Sequence, residues 1–258
     1  MDMRVRGFCC GWLEMDRAGL ISGDEGTMRI PIPAYVIEHA GSIILFDAGL
    51  PPELRDGDSE RTRELAPFFD CDLPHGTDLA ERLISCGIEP SEVDMIVLSH
   101  MHFDHAGGSS LVPDAELVIQ RAEWEAAAVD VEQYMRADVE VDRSRRLLDG
   151  DWDIFGDGRV VVTSTIGHTA GHQSLRIITD DARELILCGD ACYLRRSLDT
   201  RSLPSSSFDA SAQLAGLEWL DERERSGAHL VFGHDPSQWP SGPADDRVVE
   251  LAADRTDG

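Results

Sequence analysis

Three histidines and an aspartate fall within six positions, His100, His102, Asp104 and His105, inside the stretch SHMHFDHAGG that runs from Ser99 to Gly108. Imidazoles and carboxylates at this density point to a metal ion; the competing reading is a chance cluster of polar surface residues. In an extended segment residues two apart point the same way. His100 and His102 can therefore close on one ion, while Asp104 and His105 face a neighbouring point. His168, Asp190 and His234 repeat this placement, each just past an apolar run, with Gly167, Gly189 and Gly233 beside them to allow tight turns. By donor count, three histidines and an open position suit one catalytic zinc, Asp104, His105 and His234 suit a second ion, and Asp190 can bridge the two. A bridged pair of cations would hold a hydroxide at neutral pH and polarise a carbonyl, the arrangement used for hydrolysis. Tyr193, three residues beyond Asp190, can reach the same cavity.

The elements that must position these residues are mostly short apolar runs. Residues 95–99 read as a buried strand, and Ala106-Gly107-Gly108 turns the chain sharply after the cluster. Strands are likewise expected at 160–163, 174–179 and 184–188, with residues 228–232 closing the pattern. If these strands share one sheet, their carboxyl ends gather the ligands at one edge, where α/β proteins place their active sites. Earlier in the chain, 31–39 and 42–46 form a hairpin about Gly41, the second strand ending in Asp47-Ala48-Gly49. A helix capped by Thr77 carries Leu79, Leu83 and Ile84 and stops at Gly87. A strand at 117–120 leads into a helix over 121–135 with Trp124, Ala128, Val131 and Met135 on one face, and another helix with Leu214, Leu217 and Leu220 follows later. The stretch 137–153, with Arg143, Arg145 and Arg146, reads as a solvated helix. Phe68 and Phe69 read as anchors of a charged, irregular loop, with a pocket wall as the alternative.

The 258 residues can bury a substantial core, and no linker or shift of composition divides them, so a single domain over 1–258 is expected. Acidic residues outnumber basic ones 49 to 23, which disfavours nucleic acid and anionic membranes as partners. All of the basic residues are arginine, so Schiff-base chemistry on a lysine and a phosphate-loop lysine are excluded. The N-terminal apolar stretch is short and broken by Glu14 and Asp16, unlike a signal peptide or membrane span. Six cysteines without a secretion signal suggest no disulfide framework and a cytoplasmic location; most read as small buried apolar side chains.

HxHxDH at His100–His105, GHTAGH at His168, GDACY at Gly189–Tyr193 and GHD at His234 together resemble the metallo-β-lactamase superfamily in order and spacing. From the FDAG turn at Asp47 to GHDPSQW the chain is most similar to the N-acyl-homoserine lactonase branch. The resemblance implies an α/β fold, an αβ/βα four-layer sandwich with a dinuclear metal centre. By motif position His100, His102 and His168 would hold one ion, Asp104, His105 and His234 the other, Asp190 would bridge, and Tyr193 would orient the lactone carbonyl. Asp104 would also be the acid for the leaving alkoxide. The ions would be zinc, with iron, manganese or cobalt as alternatives that suit the same donors. The substrate would be a small-molecule lactone, and the resemblance leaves room for a homodimer.

The superfamily motif is more specific for fold and metal than for reaction. A pyridoxolactonase-like or glyoxalase II-like hydrolase is the neighbouring reading, although glyoxalase II uses basic residues near its C-terminus where this chain, over 244–258, is acidic. A metal-binding scaffold without catalysis is the alternative of a different class. His172, the second histidine of GHTAGH, is expected to support the ligands rather than join them, and His39, His75 and His229 have no partners of matching spacing.

Overall fold

The structure is a computed structural model that describes residues 3–130, 133–139, 142–239 and 249–252. In chain order the elements are β1 (Arg4–Asp16), β2 (Thr27–His39), β3 (Ser42–Phe46), α1 (Glu60–Leu65), β4 (Asp70–Asp72), α2 (Leu79–Ser85), β5 (Met95–Val97), α3 (Phe103–Ala106), β6 (Glu116–Gln120), α4 (Arg121–Ala127) and α5 (Arg136–Val139). There follow β7 (Arg145–Leu148), β8 (Trp152–Asp153), β9 (Val160–Ser164), β10 (Gln173–Ile178), β11 (Glu184–Leu187), α6 (Arg195–Thr200), α7 (Ala210–Arg225), β12 (His229–Val231) and β13 (Val249–Ala252).

Two sheets result. The first has eight strands in the order β13-β1-β2-β3-β5-β6-β7, with β4 also on β1; the second has five, β12-β11-β10-β9-β8. Both are mixed: β3, β5, β6 and β7 run parallel, as do β11 and β12, and the remaining pairings are antiparallel.

The two-residue alternation of side chains in a strand decides the layering. Tyr35, Ile37, Ile44 and Phe46 face one way and meet Val160, Val162, Leu175, Leu185 and Leu187 of the second sheet. Their neighbours Ala34, Val36 and Leu45 face the other way and pack with Ile96, Leu117, Leu79 and Leu83 beneath the helices of the first half. In the second sheet Ile186 and Leu230 turn outward onto Leu198, Leu217 and Leu220 of α6 and α7. Helices, sheet, sheet and helices are thus joined through three apolar seams, the four layers expected from the sequence. Each fully buried aliphatic side chain contributes about 1.5–3 kcal/mol relative to exposure.

Several local expectations change. The ligand-bearing strands do not share one sheet: β5 belongs to the first, while β9, β11 and β12 belong to the second. The cap of α2 is Asp78, in a reciprocal pair with Glu81, whereas Thr77 turns its hydroxyl onto the carbonyl of Pro74. Ile84 is 55% exposed and leaves the stripe to Leu79 and Leu83. The helix after β6 is α4 alone, closing at Ala128, and Val131 lies outside the described residues. Arg145 and Arg146 belong to strand β7, their guanidinium groups over the rings of Trp124 and Trp152 at 4.1 and 4.8 Å. Phe69 packs on Phe103 with centroids 5.2 Å apart, but Phe68 is 72% exposed and its ring reaches only that of Phe69, at 6.5 Å. Of the acidic stretch 244–258, only 249–252 lies among the described residues, as β13.

Candidate metal centre

Four strands end at one rim of the sandwich. β5 runs through Leu98 and Ser99 to His100, β9 leads to the loop bearing His168, β11 to Asp190 through Gly189 (φ 53°), and β12 to His234. Between His100 and His105 the chain turns into α3, which places Asp104 and His105 a helical step from His102.

The structure brings all seven predicted ligands together as two adjoining sets. In one, His100 Nε2 lies 2.9 Å from His102 Nδ1 and 3.2 Å from His168 Nε2, and His168 Nε2 lies 3.1 Å from His102 Nδ1. In the other, His105 Nε2 and His234 Nε2 are 3.4 Å apart, with Asp104 Oδ2 at 3.6 and 3.7 Å from them. Asp190 joins the sets. Its Oδ2 stands 3.3 Å from His168 Nε2, and its Oδ1 stands 3.0 Å from His234 Nε2 and 3.3 Å from His105 Nε2.

These residues fit divalent ions on the chemistry of the donors. Imidazole nitrogens about 2.0–2.1 Å from a tetrahedral ion lie about 3.3 Å from one another, close to the observed separations. Asp190 Oδ1 is buried without a hydrogen-bond partner, although two imidazoles border it, which is the condition of a ligand atom. Burial, followed by the neighbouring histidines, holds His100 well below the usual histidine range; burial likewise holds His168 well below it and lowers His102. Burial also acts on His105 and His234, but there Asp190 and Asp104 outweigh it and raise both.

Outer contacts to His100, His105, His168 and His234 fix which nitrogen those rings offer. His105 Nδ1 donates to Asp47 Oδ2 at 2.8 Å, and Asp47 also accepts the N–H (2.6 Å) and hydroxyl (2.9 Å) of Ser99. Ser99 Oγ in turn accepts from His100 Nδ1 at 2.9 Å, and His234 Nδ1 donates to the Pro31 carbonyl at 3.0 Å. His172 stands behind Asp190: its Nε2 accepts the Asp190 N–H at 2.9 Å and its Nδ1 bonds Thr165 Oγ1 at 2.9 Å, the supporting position expected of it. Tyr193 places its hydroxyl 3.3 Å from His168 Nδ1 and its ring 5.5 Å from that of His234. Burial, then the charges of Asp190 and Asp104, push this phenol well above its usual range, so it stays protonated. On its other side Tyr193 joins Phe103, Leu194, Met28 and Phe69 in an apolar cluster.

Ser99 and Glu123 were not singled out in the sequence. Ser99 abuts the motif and could have been read as an acceptor for its neighbour; Glu123 looks like any solvated helix acid, yet it is fully buried.

The sequence pattern of the Metallo-beta-lactamase superfamily matches residues 28–234, and the chain belongs to that superfamily, whose fold it has. Within it the relatives are lactonases. The chain is similar to an N-acyl homoserine lactonase of a Bacillus species, with 30% identity over 217 residues, covering 82% of this chain and 84% of that one. It is also similar to the N-acyl homoserine lactonase AttM of Rhizobium johnstonii, with 28% identity over 229 residues and coverage of 84% and 86%. A solved N-acyl homoserine lactone hydrolase, with the product N-hexanoyl-L-homoserine at its catalytic metal center, superposes with a TM-score of 0.84 at 26% identity, covering 96% of this chain and 100% of that one.

Proposed function

We propose that this protein is a metal-dependent lactonase that opens the ring of N-acyl homoserine lactones and so degrades quorum-sensing signals. The observation that carries the reading is the pair of ligand sets sharing Asp190, with the protonated Tyr193 hydroxyl beside them. In this reading His100, His102 and His168 would hold one divalent ion and Asp104, His105 and His234 the other, with Asp190 placed to be shared between them. Bound there, the ions would supply Lewis acidity toward a carbonyl and a hydroxide at neutral pH.

The side chains provide the rest. Tyr193 donates a hydrogen bond to the lactone carbonyl oxygen, whose negative charge grows as the carbonyl carbon is attacked. Asp104 takes the proton that the attacking water gives up and hands it to the ring oxygen as the acyl C–O bond breaks, so one water is consumed and a hydroxy acid is left. Phe103, Leu194 and Phe69 offer an apolar wall beside Tyr193 suited to an acyl chain.

Zinc is the first choice among metals that accept this donor set. The chain acts as one domain, which the span of the family match supports. Six free cysteines suit a reducing cytoplasm. Among the described residues no helix is long and apolar enough to cross a membrane.

The test is proton release in a pH-stat over N-acyl homoserine lactones of varied chain length, other lactones and a glutathione thioester, with elemental analysis of the same sample. Two ions per chain and fastest turnover on homoserine lactones are expected. Faster thioester hydrolysis would move the protein to a glyoxalase II-like role, and a fully loaded sample inert toward the whole panel would make it a scaffold.

A further inference from the structure

Glu123 is wholly buried in the first turn of α4, and neither the ligand sets nor the proposed chemistry uses it. Its Oε1 accepts the N–H of Met101 at 3.0 Å and its Oε2 accepts the N–H of Gly171 at 2.9 Å. Met101 lies between His100 and His102 on the loop after β5; Gly171 belongs to the loop that carries His168 between β9 and β10. One carboxylate therefore ties together two loops that come from different sheets and bring the three histidines of the first ligand set.

Position 171 is built for this approach, since a Cβ there would stand 2.4 Å from the backbone nitrogen of Glu123. Tyr134 completes the surround, its ring 5.5 Å from that of His102. Burying a carboxylate is costly unless it is well bonded, and two backbone N–H groups do not neutralise it. What would is a cation nearby. The first ligand set consists of three neutral imidazoles with a share in Asp190, whereas the second has Asp104 of its own, so the negative charge missing at the first is present one layer out.

We infer that Glu123 is a positioning residue for the first ligand set alone: it clamps the His100–His102 loop to the His168 loop and offsets the charge of an ion held there. The inference rests on the metal reading above. Its test begins with the wild-type protein, which must take up two zinc ions; a wild type that does not overturns the metal reading, whatever the variants do.

With that established, Glu123→Gln keeps the volume but loses the charge and one of the two acceptors. Zinc retained against graded chelator gives the affinities, and long-range 1H–15N spectra of the imidazoles identify which set empties. Affinity at His100, His102 and His168 is expected to fall about 10–100-fold, the usual cost of losing an outer-shell partner, with the other set within about twofold of wild type. Glu123→Asp keeps the charge but reaches only one loop, so it should recover part of that loss, and it carries the same test should the Gln variant not fold. Equal weakening of both sets would make Glu123 a general structural residue, and unchanged affinity at the first set would give it no role toward the metal; either result overturns the inference.

Discussion

His105 and Asp47 meet at 2.8 Å at one end of β3, and His39 and Asp157 meet at 2.8 Å at the other, yet the two pairs differ in everything except length. Asp47 is 3% exposed and bonded three ways, to His105 and twice to Ser99; Asp157 is 40% exposed and opposes a histidine whose ring edge packs on Phe155. In the first pair water cannot replace a lost partner, so the ring is held in one orientation and its Nε2 is left for the ligand set. In the second, solvent reaches the carboxylate although the imidazole is only 7% exposed, and the bond is a clasp between the sheets. The distance between the partners does not tell the two apart; burial and the number of further bonds do.

Four measurements bear on that contrast. The largest effect is expected from Asp47→Ala, which strands the Ser99 N–H and frees the His105 ring. Metal affinity should fall about 10–100-fold, and the metal-free protein should lose about 1–3 kcal/mol in a denaturant titration. Normal metal retention would show that the buried pair is no firmer than the exposed one. Ser99→Ala removes the acceptor for His100 while leaving Asp47 its bond to His105, so a smaller loss, about tenfold in metal affinity, is expected. A loss as large as that of Asp47→Ala would move the centre of the network to Ser99.

Tyr193→Phe should leave metal content unchanged, because its contact with His168 is long at 3.3 Å, while turnover falls by roughly tenfold. Lost metal would place the phenol among the orienting groups. The smallest effect belongs to Asp157→Asn. The His39 hydrogen bond, followed by the Arg159 N–H, holds Asp157 below the usual carboxylate range. A depressed folded value stabilises above the ordinary carboxylate pKa, about 3.9, and that contribution is lost as pH falls through the folded value. Melting of the metal-free proteins should therefore separate slightly near neutrality and converge in acid; a gap that persists in acid would mean that the charge of Asp157 is not what the clasp uses.

The candidate ligands were legible because their chemistry is dense and local, and the strands that deliver them because short apolar runs admit few other readings. β1 was not. Its thirteen residues are buried on both faces for much of their length, and the pairing with β2 shifts between Cys9 and Trp12, so no alternation survives to be read. The stretch 137–153, which holds β7, reads as a solvated helix because Arg145 and Arg146 look solvated until Trp124 and Trp152 are placed beneath them. Asp78 rather than Thr77 caps α2 because its side chain and that of Glu81 bond each other's backbone, which Thr77, one residue earlier, cannot do. That the ligands come from two sheets is a property of topology, which strand ends alone do not encode.

The division of strands between the sheets has a consequence in time. β1 to β7 lie in the first sheet and β8 to β12 in the second, so apart from β13 each is drawn from one continuous stretch of chain. Each can pair internally while the polypeptide is still being made, without waiting for the other. The first ligand set cannot, since it needs His168 against His100 and His102, and the second must wait for His234, which closes a loop from Asp104. Long loops cost only slowly more to close, about (3/2)RT ln n, but closure pays back only once both sheets have docked. HxHxDH lies within one stretch of chain, but the seven candidate ligands meet only where the two sheets have docked.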